Sequence, residues 1–349
     1  MELREYDVVD PEPGGLLLRM IRATVCGSEV HIVHGRHPLI QAGCVMGHEG
    51  VGRVERIGAG PGRDSAGDQL HEGDRVVATY FGACRRCPEC NNGAPNVCRN
   101  AYAGWSRQAE ESPHFHGTFG TFYNVLPDHA VFTVPDSVSS KAIAAANCAL
   151  SQVYYGTELG EVRPGQKVVV LGAGGLGVCA AAVANQFGAE VYVAEMAAHR
   201  LAKATEFGAH HTIDLSQAAD GDERVALIRD TVGGPGPDVV LELTGVPDAF
   251  SEAVRATRST GKMISIGNIS PNRFTQFDPG LFTRTGVQIR AAIRYPAATL
   301  GKSIAFVEAT PQFPWEDLVD ADYTLDQVTE AVAAAEAKQV TRAGLVIDE

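Results

Sequence analysis

Long hydrophobic runs are missing from this chain of 349 residues. Its most apolar stretch, Val168 to Ala182, is interrupted by Gly172, Gly174, Gly175 and Gly177, and the opening MELREYDVVD has no apolar core. Neither a membrane span nor an export signal is therefore read, and a cytoplasmic location is expected. Positive charge is also short: 29 Lys and Arg face 42 Asp and Glu, a formal net charge of −13. Such a surface repels phosphate backbones and anionic lipid alike, so no nucleic acid and no membrane is expected as a partner. Cysteine is too sparse for a disulfide framework, with eight in the whole chain, yet Cys84, Cys87, Cys90 and Cys98 crowd together. That distribution fits a reducing compartment and metal thiolates. Hydrophobic residues at 45% and charged residues at 20% are ordinary for a folded soluble chain. Glycine is the one excess, 38 residues, against a usual share of about 7%, and it implies tight turns and close backbone approaches.

Up to about residue 145 the pattern is of short β-rich runs, Leu16 to Ala23, Gly50 to Ile57, Arg75 to Thr79 and Thr121 to Leu126, punctuated by Gly, Pro and Asp. This predicts an irregular, mostly antiparallel β domain. From Gln166 the texture changes to VVVLGAGGLG, a helical Val178 to Phe187, the run VYVAE, a helix ending near Phe207, and apolar runs at Asp238 to Thr244 and Lys262 to Ile266. Apolar runs without alternation, separated by helices, are what a parallel sheet buried on both faces requires. The fold class is α/β. Beyond Arg294 the pattern predicts a helix to Ala309, an amphipathic helix over Leu325 to Ala337 and a final strand in RAGLVID.

Gly172, Gly174 and Gly177 form G-x-G-x-x-G, with Gly175 and Leu176 between the last two, directly after one predicted strand and before a helix. One glycine makes the turn, one admits a pyrophosphate to the backbone and one lets helix pack on strand. The next strand ends at Glu195, where a carboxylate would accept the ribose hydroxyls and repel a 2′-phosphate. A dinucleotide is expected, with NAD favoured over NADP. Arg200 leaves that choice open, because an arginine there can stack on adenine or bind the phosphate.

Cys84, Cys87, Cys90 and Cys98 are spaced C-x2-C-x2-C-x7-C. Four thiolates on a looped backbone can close a tetrahedral zinc shell with no vacancy for substrate, so the ion would be structural; an iron–sulfur cluster is the less favoured use. Cys26 in VCGSEVH, His48 in GHEG and Cys148 in ANCALS remain. Two cysteines and a histidine are an established catalytic zinc set, but their distance along the chain does not show that they meet.

The segments VCGSEVH, GHEGVGRVERIGAG, GDRV, the four-cysteine lobe, NCALSQVYYG and VVVLGAGGLG, in this order, resemble the zinc-dependent alcohol dehydrogenases of the medium-chain dehydrogenase/reductase superfamily. The resemblance runs nearly end to end. It implies a GroES-like catalytic domain over residues 1–149 and 295–349, carrying the lobe 84–98, and a Rossmann domain over 150–294. It implies two zinc ions per chain, one on Cys26, His48 and Cys148, and NAD as hydride carrier. Glu49 matches a glutamate that binds the metal transiently in some relatives. Ser28 and His31 match a relay that takes the alcohol proton to solvent, and Arg342 a pyrophosphate-binding arginine, a surface arginine being the alternative. Glu29 stands where an aspartate orienting the zinc histidine is usual, so a shifted hydrogen bond is expected there. Relatives usually carry a further strand ahead of the MELREYDV segment, which leaves an uncovered edge or a start upstream. The implied substrate is a small alcohol or its carbonyl, and the implied assembly a homodimer or homotetramer. Competing readings are a polyol, amino-alcohol or other specialised hydroxy-compound dehydrogenase of the same superfamily, favoured less because those branches often carry glutamate where Cys148 stands, and a non-catalytic NAD- or zinc-binding protein.

Overall fold

Short strands dominate the first part of the chain: β1 (Leu16–Thr24), β2 (Glu49–Ile57), β3 (Arg75–Gly82), β4 (Phe122–Val125) and β5 (His129–Thr133). The computed structural model describes residues 1–348 and divides the chain into two units, residues 1–151 together with the chain from Arg294 onward, and Gln152–Ile293. The parallel strands lie in the second unit: β6 (Lys167–Leu171), β7 (Glu190–Glu195), β8 (His211–Asp214), β9 (Val239–Glu242), β10 (Lys262–Ser265) and β11 (Gln288–Ala291). The returning segment adds β12 (Ala321–Thr324) and β13 (Ala343–Val346) to the first unit.

In the first unit the order is β12-β13-β1-β2-β3-β5, with β4 also paired to β1. Only the β12–β13 pair is parallel. Leu16, Leu18 and Met20 of β1 meet Val54, Val76, Ala78 and Tyr123 in one core cluster, while Ala23 and Val25 pack with the helix Val328–Glu336 in another. Burial on both sides leaves Arg19 as the exposed residue of β1. The helix expected from Arg294 starts later, at Ala298. Arg294 has φ +50° and Pro296 follows Tyr295, a position from which the helical conformation is sterically disfavoured.

In the second unit the order is β11-β10-β9-β6-β7-β8, and every pair is parallel. The strand sequence reverses between β6 and β9. Open parallel sheets bind ligands at the carboxyl ends of the strands flanking such a reversal, and the glycine motif begins there. Among the described residues, no helix is long and apolar enough to cross a membrane.

Candidate catalytic metal site and nucleotide loop

Cys26 caps the short helix Gly27–Val33, His48 directly precedes β2, and Cys148 lies in the turn Ala146–Leu150. That turn is π-helical, with the Leu150 N–H reaching the Ala145 carbonyl at 3.4 Å, a widened geometry common where a helix must aim a functional side chain. Asn147 fixes it by donating from Nδ2 to the main-chain carbonyls of His48 and Ala78, both at 2.8 Å. The Tyr295 hydroxyl in turn donates to the Asn147 carbonyl.

These elements bring donor atoms of Cys26, His48, Glu49 and Cys148 within 4.8 Å of one another, all four residues buried. His48 Nε2 faces the Cys148 sulfur at 3.3 Å, while Nδ1 lies 2.5 Å from Glu29 Oε1. The Glu29 bond is therefore made despite the longer side chain. Its second oxygen, Oε2, accepts the Cys26 N–H at 2.9 Å and so caps the helix that Cys26 begins. Glu49 accepts from Thr24 and from the Arg342 guanidinium through Oε2, whereas its Oε1 is buried with no hydrogen-bond partner.

The electrostatics of the group suit a cation. The Cys148 hydrogen bond holds the Cys26 thiol well below its ordinary range, against burial and with help from His48. Cys148 is pushed well up by Cys26 and by burial. Burial pulls His48 down, but Glu29 and Cys26 outweigh it and hold the imidazole well above its usual value. Burial lifts Glu49 to about 7 against the pull of Arg342. Two thiols, an imidazole and a carboxylate thus compete for few protons in a buried cluster. A divalent ion relieves that competition by taking lone pairs that protons would otherwise claim, and the orphaned Glu49 oxygen adds a further donor.

Around this group stand aromatic rings. The Tyr80 ring centroid is 4.8 Å and that of Trp105 4.9 Å from the His48 ring. Trp105 also donates to the Val45 carbonyl, and the Thr118 hydroxyl donates to the Glu49 carbonyl, so the long 99–116 segment and its continuation brace the histidine's strand. Ser28 and His31 lie on the helix behind Cys26, half-buried, with the Ser28 hydroxyl 3.9 Å from the Cys26 sulfur. Arg342, expected at a pyrophosphate or at the surface, is buried at 3% exposure with its guanidinium on Glu49. The surface alternative is overturned, and the contact it displays is to the ligand group.

The four lobe cysteines likewise bring their sulfurs within 4.8 Å of one another. The short helix Pro88–Asn91 and the turn Pro95–Val97 shape the loop, and the Cys84 N–H points at the Cys98 sulfur at 3.5 Å. Hydrogen bonds, that from the Arg86 backbone foremost, bring Cys84 down to about 6. Four convergent sulfurs fit a closed thiolate shell.

In the second unit Gly172 follows β6 at φ +99°, and a Cβ on Gly177 would lie 1.9 Å from the Gly172 carbonyl oxygen. Gly174 caps the helix Gly175–Gln186 without a side-chain hydrogen bond, so no capping side chain competes for its first N–H groups. Leu176 sits in that first turn. Glu195 ends β7, and its Oε2 accepts the Ala173 N–H at 2.9 Å while Oε1 accepts those of Met196 and Ala197. The Arg200 Nη1 is 3.9 Å from where a Gly174 Cβ would be, which sets the guanidinium over the glycine turn.

The family model described as an alcohol dehydrogenase GroES-like domain matches residues 12–136, and that described as a zinc-binding dehydrogenase matches 175–309. 5-exo-hydroxycamphor dehydrogenase of Pseudomonas putida is 30% identical over 345 residues, covering 97% of this chain and 93% of its own. The chain belongs to the zinc-dependent alcohol dehydrogenases of the medium-chain dehydrogenase/reductase superfamily. Sorbitol dehydrogenase of Bacillus subtilis is 27% identical to this dehydrogenase, with 96% and 90% of the two chains covered. The crystal structure of an alcohol dehydrogenase from Thermotoga maritima superposes with a TM-score of 0.90 at 27% identity, over 98% of this chain and 94% of that one.

Sequence reasoning passed over Asn147, Thr24 and Thr118. Asn147 had a signal, a polar residue inside the apolar run AIAAANCAL; the threonines had none, since Thr24 at the end of a strand and Thr118 in a bend gain their role from what the fold brings beside them.

Proposed function

We propose that this dehydrogenase converts an apolar primary or secondary alcohol into its aldehyde or ketone, or runs the reverse reduction, with NAD as hydride carrier and two zinc ions per chain. The observation that carries the reading is the convergence of Cys26, His48, Glu49 and Cys148 within 4.8 Å. Cys26, His48 and Cys148 would hold the catalytic zinc, and Cys84, Cys87, Cys90 and Cys98 the structural one. When bound, zinc supplies a Lewis acid that lowers the pKa of an alcohol hydroxyl, and the dinucleotide supplies the hydride acceptor.

The chain's own groups do the rest. The Glu29 carboxylate keeps a proton on His48 Nδ1, which leaves the Nε2 lone pair for the ligand role and fixes the ring's orientation. The Ser28 hydroxyl would accept the alcohol proton while releasing its own toward His31. His31 stands three residues on, on the same face of that helix, and passes the proton to solvent. Glu49 is a reserve ligand, held by Arg342 and Thr24 while its Oε1 stays uncommitted. Tyr80 and Trp105 offer ring faces beside His48, surfaces that favour an apolar alcohol over a chain of hydroxyls needing acceptors. A hydroxycamphor named for the Pseudomonas relative is in keeping with that preference.

The N–H groups of the Gly172–Gly177 loop receive the pyrophosphate, and Glu195 takes the ribose hydroxyls and disfavours a 2′-phosphate. The thiolates require a reducing compartment, which supports a cytoplasmic enzyme. Exposed Phe274, Phe277 and Leu281 in the second unit support a homo-oligomer. The test is NADH formation across apolar alcohols and polyols, with NADP in parallel, on protein of measured zinc content. Two zinc ions, turnover with apolar alcohols and its loss in Cys148→Ser are expected; alcohol-independent NADH binding alone would reduce the chain to a nucleotide-binding protein.

A further inference from the structure

Arg294 is the residue at which the chain re-enters the first unit, and only 6% of it is exposed. No carboxylate among the described residues pairs with it. Its Nε donates to the Asn96 carbonyl at 2.5 Å and its Nη2 reaches the Cys98 carbonyl at 3.4 Å. The guanidinium carbon lies 4.8 Å from the Tyr102 ring centroid and 5.9 Å from that of Phe81. A buried cation is thus balanced by two carbonyl dipoles and two π faces. Both carbonyls belong to the four-cysteine lobe, one of them to its last thiolate residue. Tyr102 stacks on Tyr80, ring centroids 6.2 Å apart and planes at 18°, and it meets Trp105 edge-on at 5.8 Å. Tyr80 and Trp105 are the rings packed on His48.

We propose that Arg294 is a positioning residue that couples the four-cysteine lobe to the aromatic wall of the catalytic site. The lobe loop is polar and short of core contacts, so its thiolate shell fixes where the Asn96 and Cys98 carbonyls stand. With the lobe closed, the guanidinium lies over the Tyr102 ring and the Tyr102–Tyr80–Trp105 group is held against His48. With the lobe opened, Arg294 loses both acceptors, and a buried charge without them must move. Lysine cannot replace it, since a point charge does not reach two carbonyls while lying along a ring. The proposal rests on the reading that both cysteine groups hold zinc.

The experiment uses the holoenzyme in a Trp315→Phe background, which leaves Trp105 as the reporter of the two tryptophans in the chain. Zinc release to a chromogenic chelator, Trp105 emission and the KM and kcat for a bulky alcohol are followed together. With Arg294 present, release of the lobe zinc shifts Trp105 emission. Arg294→Met is expected to release the lobe zinc about tenfold faster, to abolish the emission shift, and to raise KM more than it lowers kcat. Tyr102→Leu breaks the same chain and gives the same loss of the emission shift, whereas Tyr102→Phe keeps the ring and retains it. Tyr102→Leu decides the matter should Arg294→Met not fold. Protein carrying two zinc ions in which these variants keep the wild-type emission shift overturns the coupling; wild-type protein with fewer than two zinc ions overturns the underlying zinc reading instead.

Discussion

Glu29 divides its two carboxylate oxygens between two tasks, one holding the imidazole of His48 and the other capping the helix that starts at Cys26. Aspartate would be one methylene shorter; glutamate at this position spans from a helix N-terminus to a ring on the neighbouring strand's approach. Glu29 is fully buried, so replacing it leaves a histidine N–H and a backbone N–H without acceptors. Glu29→Ala is expected to weaken catalytic zinc about 10- to 100-fold while the lobe zinc is retained, as read by chelator competition on the two ions separately. At this scale the sequence was legible where chemistry restricts residue type: cysteines and a histidine in family-like segments marked the group whose donor atoms the fold brings within 4.8 Å of one another. Thr24 was not legible, because a strand hydroxyl serves a carboxylate whose position only the folded chain defines, while Asn147 stood out in the apolar run AIAAANCAL without showing that its amide would serve two main-chain carbonyls.

Elements carry the site through a few close approaches, and the tightest is in the nucleotide loop. A methyl group on Gly177 would sit 1.9 Å from the Gly172 carbonyl oxygen, a main-chain atom that cannot turn aside. Gly177→Ala is therefore expected to cost about 3 kcal/mol and to abolish NADH binding, measured by thermal unfolding and by quenching of nucleotide fluorescence. A second element-scale device joins β1 to β12 across β13: Arg22 donates to Asp322 at 2.7 Å, and Lys141 stands 3.4 Å away. The Arg22 hydrogen bond holds the Asp322 carboxyl below its ordinary value, against partial burial. A carboxyl depressed in the folded state contributes stability that is full above the unfolded value and is lost as pH falls through the folded one, hence below about pH 4. The gap in melting temperature between wild type and Asp322→Asn should be constant near neutrality and close on acidification below that point. A gap that persists unchanged at pH 3 would assign the Asp322 effect to shape rather than charge. The elements β1 and β2, and the helix Gly175–Gln186 from Val178 onward, were legible as apolar runs bounded by glycine and polar residues. The strands β8, β11 and β12 were not, since HTID, QIRA and ADYT lack the apolar run that marks the equally short β9.

For the whole molecule, the question the surface raises is association. The second unit ends its sheet at β11, which pairs only with β10, and its residues Gln288 and Ala291 are exposed. Nearby in sequence, Phe274 is 86% exposed, and Ile269, Phe277 and Leu281 are also open to solvent. Apolar side chains concentrated over 269–281, on a unit whose sheet also leaves a strand edge unpaired, are uncommon on a monomer. Net charge acts the other way: at −13, two copies repel, so any stable contact must be carried by apolar burial and strand pairing and should strengthen with salt. Light scattering at micromolar concentration is therefore expected to return at least twice the 37.0 kDa chain mass. Phe274→Asp should lower that mass to one chain with secondary structure and zinc content kept, because that side chain is already in water in the single chain at 86% exposure. A wild-type protein that stays monomeric as salt rises would leave these residues to some other contact. A variant that remains oligomeric would place the interface elsewhere on the chain.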